Sequence, residues 1–324
     1  MAASLLRCSA VKTVALAGGI GAGKLLRGLV RVVPADDLTI VVNVADDFVV
    51  HGLHVSPDPD SVTYWLGDVF DGERGWGRRD ETFRSTEELR AFGAPDAWFN
   101  LGDLDLATHL FRTERLARGD RLSDVTAAIA RRFGVEAAIV PATDDPVATR
   151  VEAVDALGNR LDLHFQEYWV KRRAADHVKA VRYRGADRSR PAPGVLEAIR
   201  AADVIVICPS NPVVSIGPVL AVPGIRDAVA NRRAVVTGIS GIVGGAPVAG
   251  MAERLMPAAG IEVSAAGVAE AYRDLLGAWL VDERDRGLLS RIEGMGIRAG
   301  ATDTIMRDDR RAEAVARAAL GLLP

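Results

Sequence analysis

Apolar positions in this chain fall into short, unbroken runs rich in β-branched residues, instead of alternating with polar ones. Residues 11–17, 38–44, 137–141, 204–208 and 234–238 are such runs, the pattern of strands buried on both faces of a parallel sheet. Segments of helical periodicity separate them: 24–33, 86–91, 106–118, 123–133 with Ser123 as N-cap, and 194–201, followed by 248–255 and 312–322. Residues 64–71 are ambiguous, and the glycine-rich stretch 72–80 reads as a loop. Strands alternating with helices predict an α/β fold, a doubly wound, mostly parallel Rossmann-like sheet.

The alternation breaks between residues 146 and 193. Leu157, Gly158, Asn159 and Arg160 form a turn between two alternating runs, which predicts a β-hairpin. It leads into an aromatic and basic segment from His164 to Arg173. The expected organisation is a core of residues 11–145 and 194–310, an inserted β-hairpin and helical subdomain over 146–193, and a frayed extension over 1–10.

Composition narrows the function classes. A chain of 324 residues can bury a large core as one large or two modest domains. A net charge of −3 offers no general attraction to nucleic acid or to an anionic membrane. With 49% hydrophobic residues but no apolar run near membrane-spanning length, a soluble globular protein is expected. Arg7 interrupts the first apolar stretch and no basic segment precedes it, so a secretory signal is not expected. Cys8 and Cys208 are the two cysteines, which fits a reducing, cytoplasmic setting.

The run at 38–44 is followed within a few residues by Asp46, Asp47, His51, His54, Asp58 and Asp60. In an open α/β sheet, ligands bind at the carboxyl ends of strands. Clustered acids there repel one another unless a cation or donor sits among them, and they suit a divalent metal facing a phosphorylated substrate. A solvated acidic turn is the alternative. Gly18, Gly19, Gly21, Gly23 and Lys24 lie between the first strand and first helix, where backbone N–H groups can approach an anion. The stretch satisfies the P-loop spacing, but Leu25 stands where a P-loop needs Ser or Thr. A structural tight turn is the alternative there.

Further polar loops follow other apolar runs. Arg74, Trp76, Arg78, Arg79 and Asp80 combine cations with a flat ring, or form a basic surface turn. Asn100, Gly102, Asp103 and Asp105 precede His109, and Asp105 and His109 share a helix face; one of the two aspartates can be an N-cap. Thr143, Asp144 and Asp145 follow the run at 137–141. Ser210, Asn211 and Ser215 follow Cys208 among prolines, as a rigid donor-rich turn for an anion or as a helix cap. Loops of this kind at one sheet edge favour an active site jointly.

Together these motifs resemble the 2-phospho-L-lactate transferase family of deazaflavin coenzyme F-420 biosynthesis. The most specific pieces are Asn43 to Asp47 with His51, Gly52 and Leu53; Gly75 to Thr82; Leu101 to Asp105; Thr143 to Asp145; and Pro209 to Gly217. Ala22 before Gly23, and Gly241 where proline often follows the serine, depart from the family pattern. The resemblance implies a phosphotransferase for substituted phosphate groups. In it, the ribityl hydroxyl of 7,8-didemethyl-8-hydroxy-5-deazariboflavin (Fo) attacks a donor in which GDP is linked to a three-carbon acid. GMP leaves, and a phospholactyl, phosphoenolpyruvyl or phosphoglyceryl unit is joined to Fo. It also implies a homodimer.

Within that reading Asp46, Asp47 and Asp60 are the expected catalytic residues, with Mg²⁺ on Asp46 and Asp60. The donor phosphates are expected on Gly18, Gly19, Gly21, Gly23, Lys24, Ser210, Asn211 and Ser215. Fo is expected near His51, Trp76, Arg78, Asp80, Gly102, Asp103, Thr143 and Asp144. A P-loop NTPase is disfavoured by Leu25. The non-enzymatic alternative is a sugar-nucleotide-binding regulator of the gluconeogenesis-factor group, against which the His51 and Trp76 elements speak.

Overall fold

The computed structural model describes residues 11–324; the expected extension over 1–10 lies outside them. Seven strands form one sheet in which every neighbouring pair is parallel. In chain order they are β1 (Thr13–Ala17), β2 (Leu38–Val42), β3 (Ala138–Pro141), β4 (Val204–Ile207), β5 (Val236–Ile239), β6 (Ala278–Asp282) and β7 (Arg298–Thr302). Their order across the sheet is β3-β2-β1-β4-β5-β6-β7. Growth reverses between β1 and β4, so the loops leaving these two strands diverge and open a crevice, as expected for a doubly wound fold.

Burial on both faces explains the unbroken apolar runs. Val14 and Leu16 of β1 face one core cluster, with Val195, Ile199 and Trp279, while Ala15 and Ala17 face the other, with Leu25, Leu26 and Val315. The small alanines on the second face let helix α1 (Gly19–Leu29) lie close to the sheet.

Helix α1 starts five residues earlier than its apolar periodicity suggested, so Gly19, Gly21 and Gly23 are helical. Glycine costs about 1 kcal/mol in a helix, and close packing outweighs that cost here. A Cβ at Gly23 would lie 2.1 Å from Cδ1 of Trp65 in helix α2 (Pro57–Leu66), and one at Gly28 would lie 2.1 Å from the carbonyl carbon of Ala312. Ala312 belongs to the C-terminal helix Asp309–Leu320.

The ambiguous stretch 64–71 begins inside α2. That helix has Pro57 at its first position and Asp58 and Asp60 in its first turn, where proline fits and negative charge is favoured. Helix α3 spans Asp103–Ala117 and α4 spans Leu122–Arg132. The cap of α4 is Arg121, not Ser123; the Ser123 N–H and hydroxyl instead donate to Asp144, at 2.7 and 2.9 Å. In the last third, only Ala252–Leu255 of the expected helix at 248–255 is helical.

The segment between β3 and β4 carries a three-stranded antiparallel sheet. Ala148–Val154 is its centre, flanked by Arg160–His164 and His177–Arg184. Phe165 and Tyr168 bury into the larger core cluster, and the Thr149 N–H donates to the carbonyl of Ala45 at 2.7 Å. Tyr183 donates to the Val213 carbonyl, which ties this sheet to the loop leaving β4. Among the described residues, no helix is long and apolar enough to cross a membrane.

Candidate active site

After β2 the chain makes a short hairpin, Phe48–Val50 paired with Leu53–Val55, before entering α2. Its two-residue loop is His51 and Gly52, with φ of 52° and 74°, the left-handed pair that the commonest tight hairpin turn requires. The hairpin folds the first turn of α2 back against the end of β2, so Asp46, Asp47, Asp58 and Asp60 come together. All four carboxyl side chains are buried.

Their charges are unevenly compensated. Burial, with the neighbouring Asp58 and Asp47, raises the Asp46 pKa well above its ordinary value, and its Oδ1 has no hydrogen-bond partner. Burial also raises Asp47; the Ser56 hydroxyl donates to its Oδ2 at 2.6 Å, while Oδ1 has no partner. Asp58 accepts from the Asn43 amide at 2.9 Å and lies against Gly18 and Gly19, yet burial leaves its pKa raised to about 6. Asp60 has a full counter-ion in Arg112, itself 1% exposed, with His109 Nδ1 3.7 Å from its second oxygen. That oxygen has no hydrogen-bond partner either.

Asp60 therefore meets α3. Asp105, His109 and Arg112 occupy one face of that helix, with His109 Nε2 3.4 Å from Asp105, and with Tyr64 donating to Asp105 while its oxygen lies 2.9 Å from the Thr108 hydroxyl. Arg112 also reaches the carbonyl of His54 at 3.4 Å. Burial, with Arg112 and His109 nearby, lowers the His54 pKa to about 4, so its 4.0 Å approach to Asp47 is not an ion pair at neutral pH. Sequence reasoning missed Arg112, although its spacing of three from His109 and seven from Asp105 places it on their helix face.

The residues expected to receive the donor meet at the β1–β4 crevice. Gly18 is extended, and a Cβ there would lie 2.7 Å from Asp58 Oδ2 and 2.8 Å from the Ser215 Cβ. Gly19, at φ +69°, takes a conformation few other residues accept. A Cβ at Gly21 would lie 2.2 Å from the Pro209 carbonyl oxygen, and the Ser210 hydroxyl donates to Gly18 O at 2.7 Å. Asn211 accepts from the Val213 and Val214 N–H groups, capping the wide helical turn that carries Ser215. Lys24 is half-buried one turn into α1. Gly23 faces Trp65 instead of the crevice, so its role is helix packing.

The expected acceptor residues disperse. Both oxygens of Asp103 are taken by the Thr82 hydroxyl and the Arg84 and Ser85 N–H groups, which start the helix Arg84–Ala91. Glu81 accepts in turn from Leu104 N and Asp105 N at 2.8 Å each, and its carboxylate fills the space that a side chain at Gly102 would need. Asp144 is committed to the start of α4, and the buried Thr143 hydroxyl accepts from Asp145 N at 2.9 Å. These four residues fasten helix ends and a turn.

Arg78 donates to Leu104 O at 3.0 Å and lies over the Tyr64 and Phe133 rings. Trp76 packs edge-on against Phe83 beneath Arg74. Asp80 lines a groove of about 450 Å³ with Arg27, Trp65 and Asp309. Arg27 is eight residues along α1 from Gly19, about 12 Å away, so that groove lies at the opposite end of the helix from the carboxylates. His51 stays at the hairpin tip, its Nε2 buried without a partner.

A family model described as 2-phospho-L-lactate transferase CofD matches residues 13–317. The chain belongs to that family. Phosphoenolpyruvate transferase of Streptomyces griseus is 50% identical over 313 residues, covering 96% of this chain and 98% of that protein. The protein of the same name from Thermobifida fusca is 46% identical over 321 residues, with the same coverage. The 2-phospho-L-lactate transferase of Methanosarcina mazei is 40% identical over 303 residues, 94% of this chain and 97% of that one. A crystal structure of a UPF0052 family member from Bacillus halodurans superposes with a TM-score of 0.60 over 94% of this chain and 97% of its own, at 18% identity, a likeness of fold alone. The carboxylate cluster and the crevice thus sit in a member of a transferase family.

Proposed function

We propose that the protein transfers a phospholactyl, phosphoenolpyruvyl or phosphoglyceryl unit from a GDP-linked donor to the ribityl hydroxyl of Fo, in the making of the deazaflavin coenzyme F-420. The observation that carries this reading is the set of buried carboxylate oxygens without partners, on Asp46, Asp47 and Asp60, beside a glycine-lined crevice. Buried carboxylates that raise one another's pKa are unfavourable unless a cation joins them. Asp46 and Asp60 would hold Mg²⁺, which binds through one or two carboxylates, keeps several waters and takes substrate phosphates. Asp46 Oδ1 and Asp60 Oδ2, buried without partners, are the oxygens such an ion takes. No group of three metal-ligating side chains forms among the described residues, so waters and the donor phosphates would complete its shell, and it would neutralise charge on those phosphates when bound.

The chain's own groups supply the rest. Gly18, Gly19, Gly21, Ser210 and Ser215 shape a narrow crevice at the N-terminus of α1, where the donor diphosphate is received. Ser56 fixes Oδ2 of Asp47 and leaves Oδ1 free to accept the proton of the attacking hydroxyl. As the hydroxyl oxygen bonds to the phosphorus next to the three-carbon acid, the bond from that phosphorus to the bridging oxygen breaks and GMP departs with the electron pair. Burial raises the Asp60 pKa, and Arg112 opposes that rise and orients the carboxylate.

The test is incubation with Fo, Mg²⁺ and each of the three GDP-linked donors in turn, with product detection by mass. One donor is expected to give the Fo phosphodiester. Tight binding of a UDP-sugar with no conversion of Fo by any donor would favour the regulator reading.

A further inference from the structure

Arg112 holds Asp60 by one end of its guanidinium only. Nη2 donates to Asp60 Oδ1, while Nη1 lies 3.2 Å from His109 Nδ1 and 3.4 Å from the His54 carbonyl oxygen. A guanidinium has N–H groups and no acceptor, so Nδ1 must meet it with a lone pair. A neutral imidazole with its lone pair on Nδ1 carries the proton on Nε2. Nε2 is buried without a well-formed hydrogen bond, and the acceptor it faces is Asp105 Oδ2, at 3.4 Å. A proton is attracted there and a lone pair would be repelled. The two neighbours thus specify one tautomer, and a doubly protonated ring would set N–H against N–H at Arg112.

Asp105 is itself anchored. The Tyr64 hydroxyl donates to its Oδ1 at 2.5 Å, and its own N–H donates to Glu81 at 2.8 Å. His109 and Arg112 are each 1% exposed, so water cannot stand in for either. Arginine and carboxylate frequently pair through two parallel hydrogen bonds. Here the end of the guanidinium that would take the second oxygen is turned to His109. Asp60 Oδ2 is left without a hydrogen-bond partner, 3.7 Å from Nδ1 and out of its reach.

We propose that His109 is a positioning residue: as the Nε2–H tautomer braced on Asp105, it holds Arg112 end-on to Asp60 and so keeps Oδ2 for the cation. The proposal rests on the reading of Asp60 as a cation ligand. His109 acts through Arg112 and takes no part in the bond changes. Without the ring, Arg112 is free to grip both oxygens of Asp60 and compete with the cation.

Two measurements test it, on wild type, His109→Gln and His109→Leu, with a thermal melt of each. In ¹⁵N NMR of the histidine-labelled, metal-free wild type at neutral pH, the ring signals that disappear in His109→Gln are expected to show Nδ1 unprotonated and Nε2 protonated. The dissociation constant of Mn²⁺ in the presence of GDP, read by EPR, is expected to rise about 10- to 100-fold in His109→Leu. It should stay close to wild type in His109→Gln, whose amide offers the same acceptor and donor. A protonated Nδ1 overturns the proposal, and so does a folded His109→Leu protein that binds Mn²⁺ like wild type. If His109→Leu does not fold, the ring signals and His109→Gln decide, and a folded His109→Gln protein with weakened Mn²⁺ binding overturns it. Wild type that binds no Mn²⁺ with GDP overturns the cation reading, and this proposal with it.

Discussion

Asp46 is where function and stability oppose each other. Its carboxyl pKa is raised above the ordinary 3.8 by burial and by Asp58 and Asp47. A carboxyl whose folded pKa exceeds its unfolded one binds more protons in the native state, so it destabilises the fold once the pH passes the unfolded value, and increasingly up to the folded one. Asp46→Asn is therefore expected to raise the unfolding free energy of the metal-free protein at pH 8. The gain should vanish as the pH falls to about 4, while turnover is lost at every pH. Urea melts across that range, beside an activity assay, check both halves.

Arg112 makes the opposite case. Its removal leaves Asp60 buried with only His109 beside it, and breaking a buried ion pair from one side costs about 3–5 kcal/mol. Arg112→Met should lower the urea midpoint accordingly, and adding Asp60→Asn should recover most of the loss. An unchanged midpoint in the single variant would show that water replaces the guanidinium. The aspartates were legible in the sequence because they crowd directly behind a buried strand. Arg112 was not, because a lone arginine inside a helix reads as surface until the hairpin has folded Asp60 against it.

Among the elements, α1 is the one whose sequence misleads. Its glycines look like a flexible loop ahead of the helix, and propensity argues against a helix there. Instead each gives room to a neighbour: Gly21 to the Pro209 carbonyl, Gly23 to the Trp65 ring, Gly28 to Ala312. Tertiary packing overrides propensity because α1 lies against both α2 and the C-terminal helix. Gly21→Ala should cost about 1–3 kcal/mol, since a backbone carbonyl cannot yield to the new methyl group, and should weaken donor binding as the crevice widens. Gly72→Ala, with nothing within 4 Å of the added Cβ, should stay within about 0.5 kcal/mol of wild type. Thermal melts with donor titration check the pair.

The hairpin at residues 157–160 and strands β1 and β2 were readable because periodicity and turn chemistry agree there. Strands β6 and β7 were not singled out. Arg298 to Thr302 is a five-residue edge strand of small residues with a single charge at its start, which carries little hydrophobic signal. The roles of Asp103 and Asp144 were also unreadable, since an aspartate that caps a distant helix looks like one that binds a ligand.

At the scale of the molecule, the strand order places the crevice between β1 and β4, and the loop leaving β2 brings the carboxylates to its rim. The segment between β3 and β4 then reaches over both, with His164 on Asp47, Thr149 on Ala45 and Tyr183 on Val213. The proposed donor, cation and acceptor sites thus draw on four separate stretches of chain. Family motifs could announce that convergence from sequence, whereas its geometry needed the fold. The most direct test is a single-turnover experiment with the GDP-linked donor, Fo and Mg²⁺, following GMP and the Fo phosphodiester together. The account predicts that the two appear in equal amounts and at one rate, and that neither forms when Fo or Mg²⁺ is left out. GMP released without Fo, or donor bound with neither product formed, would contradict it.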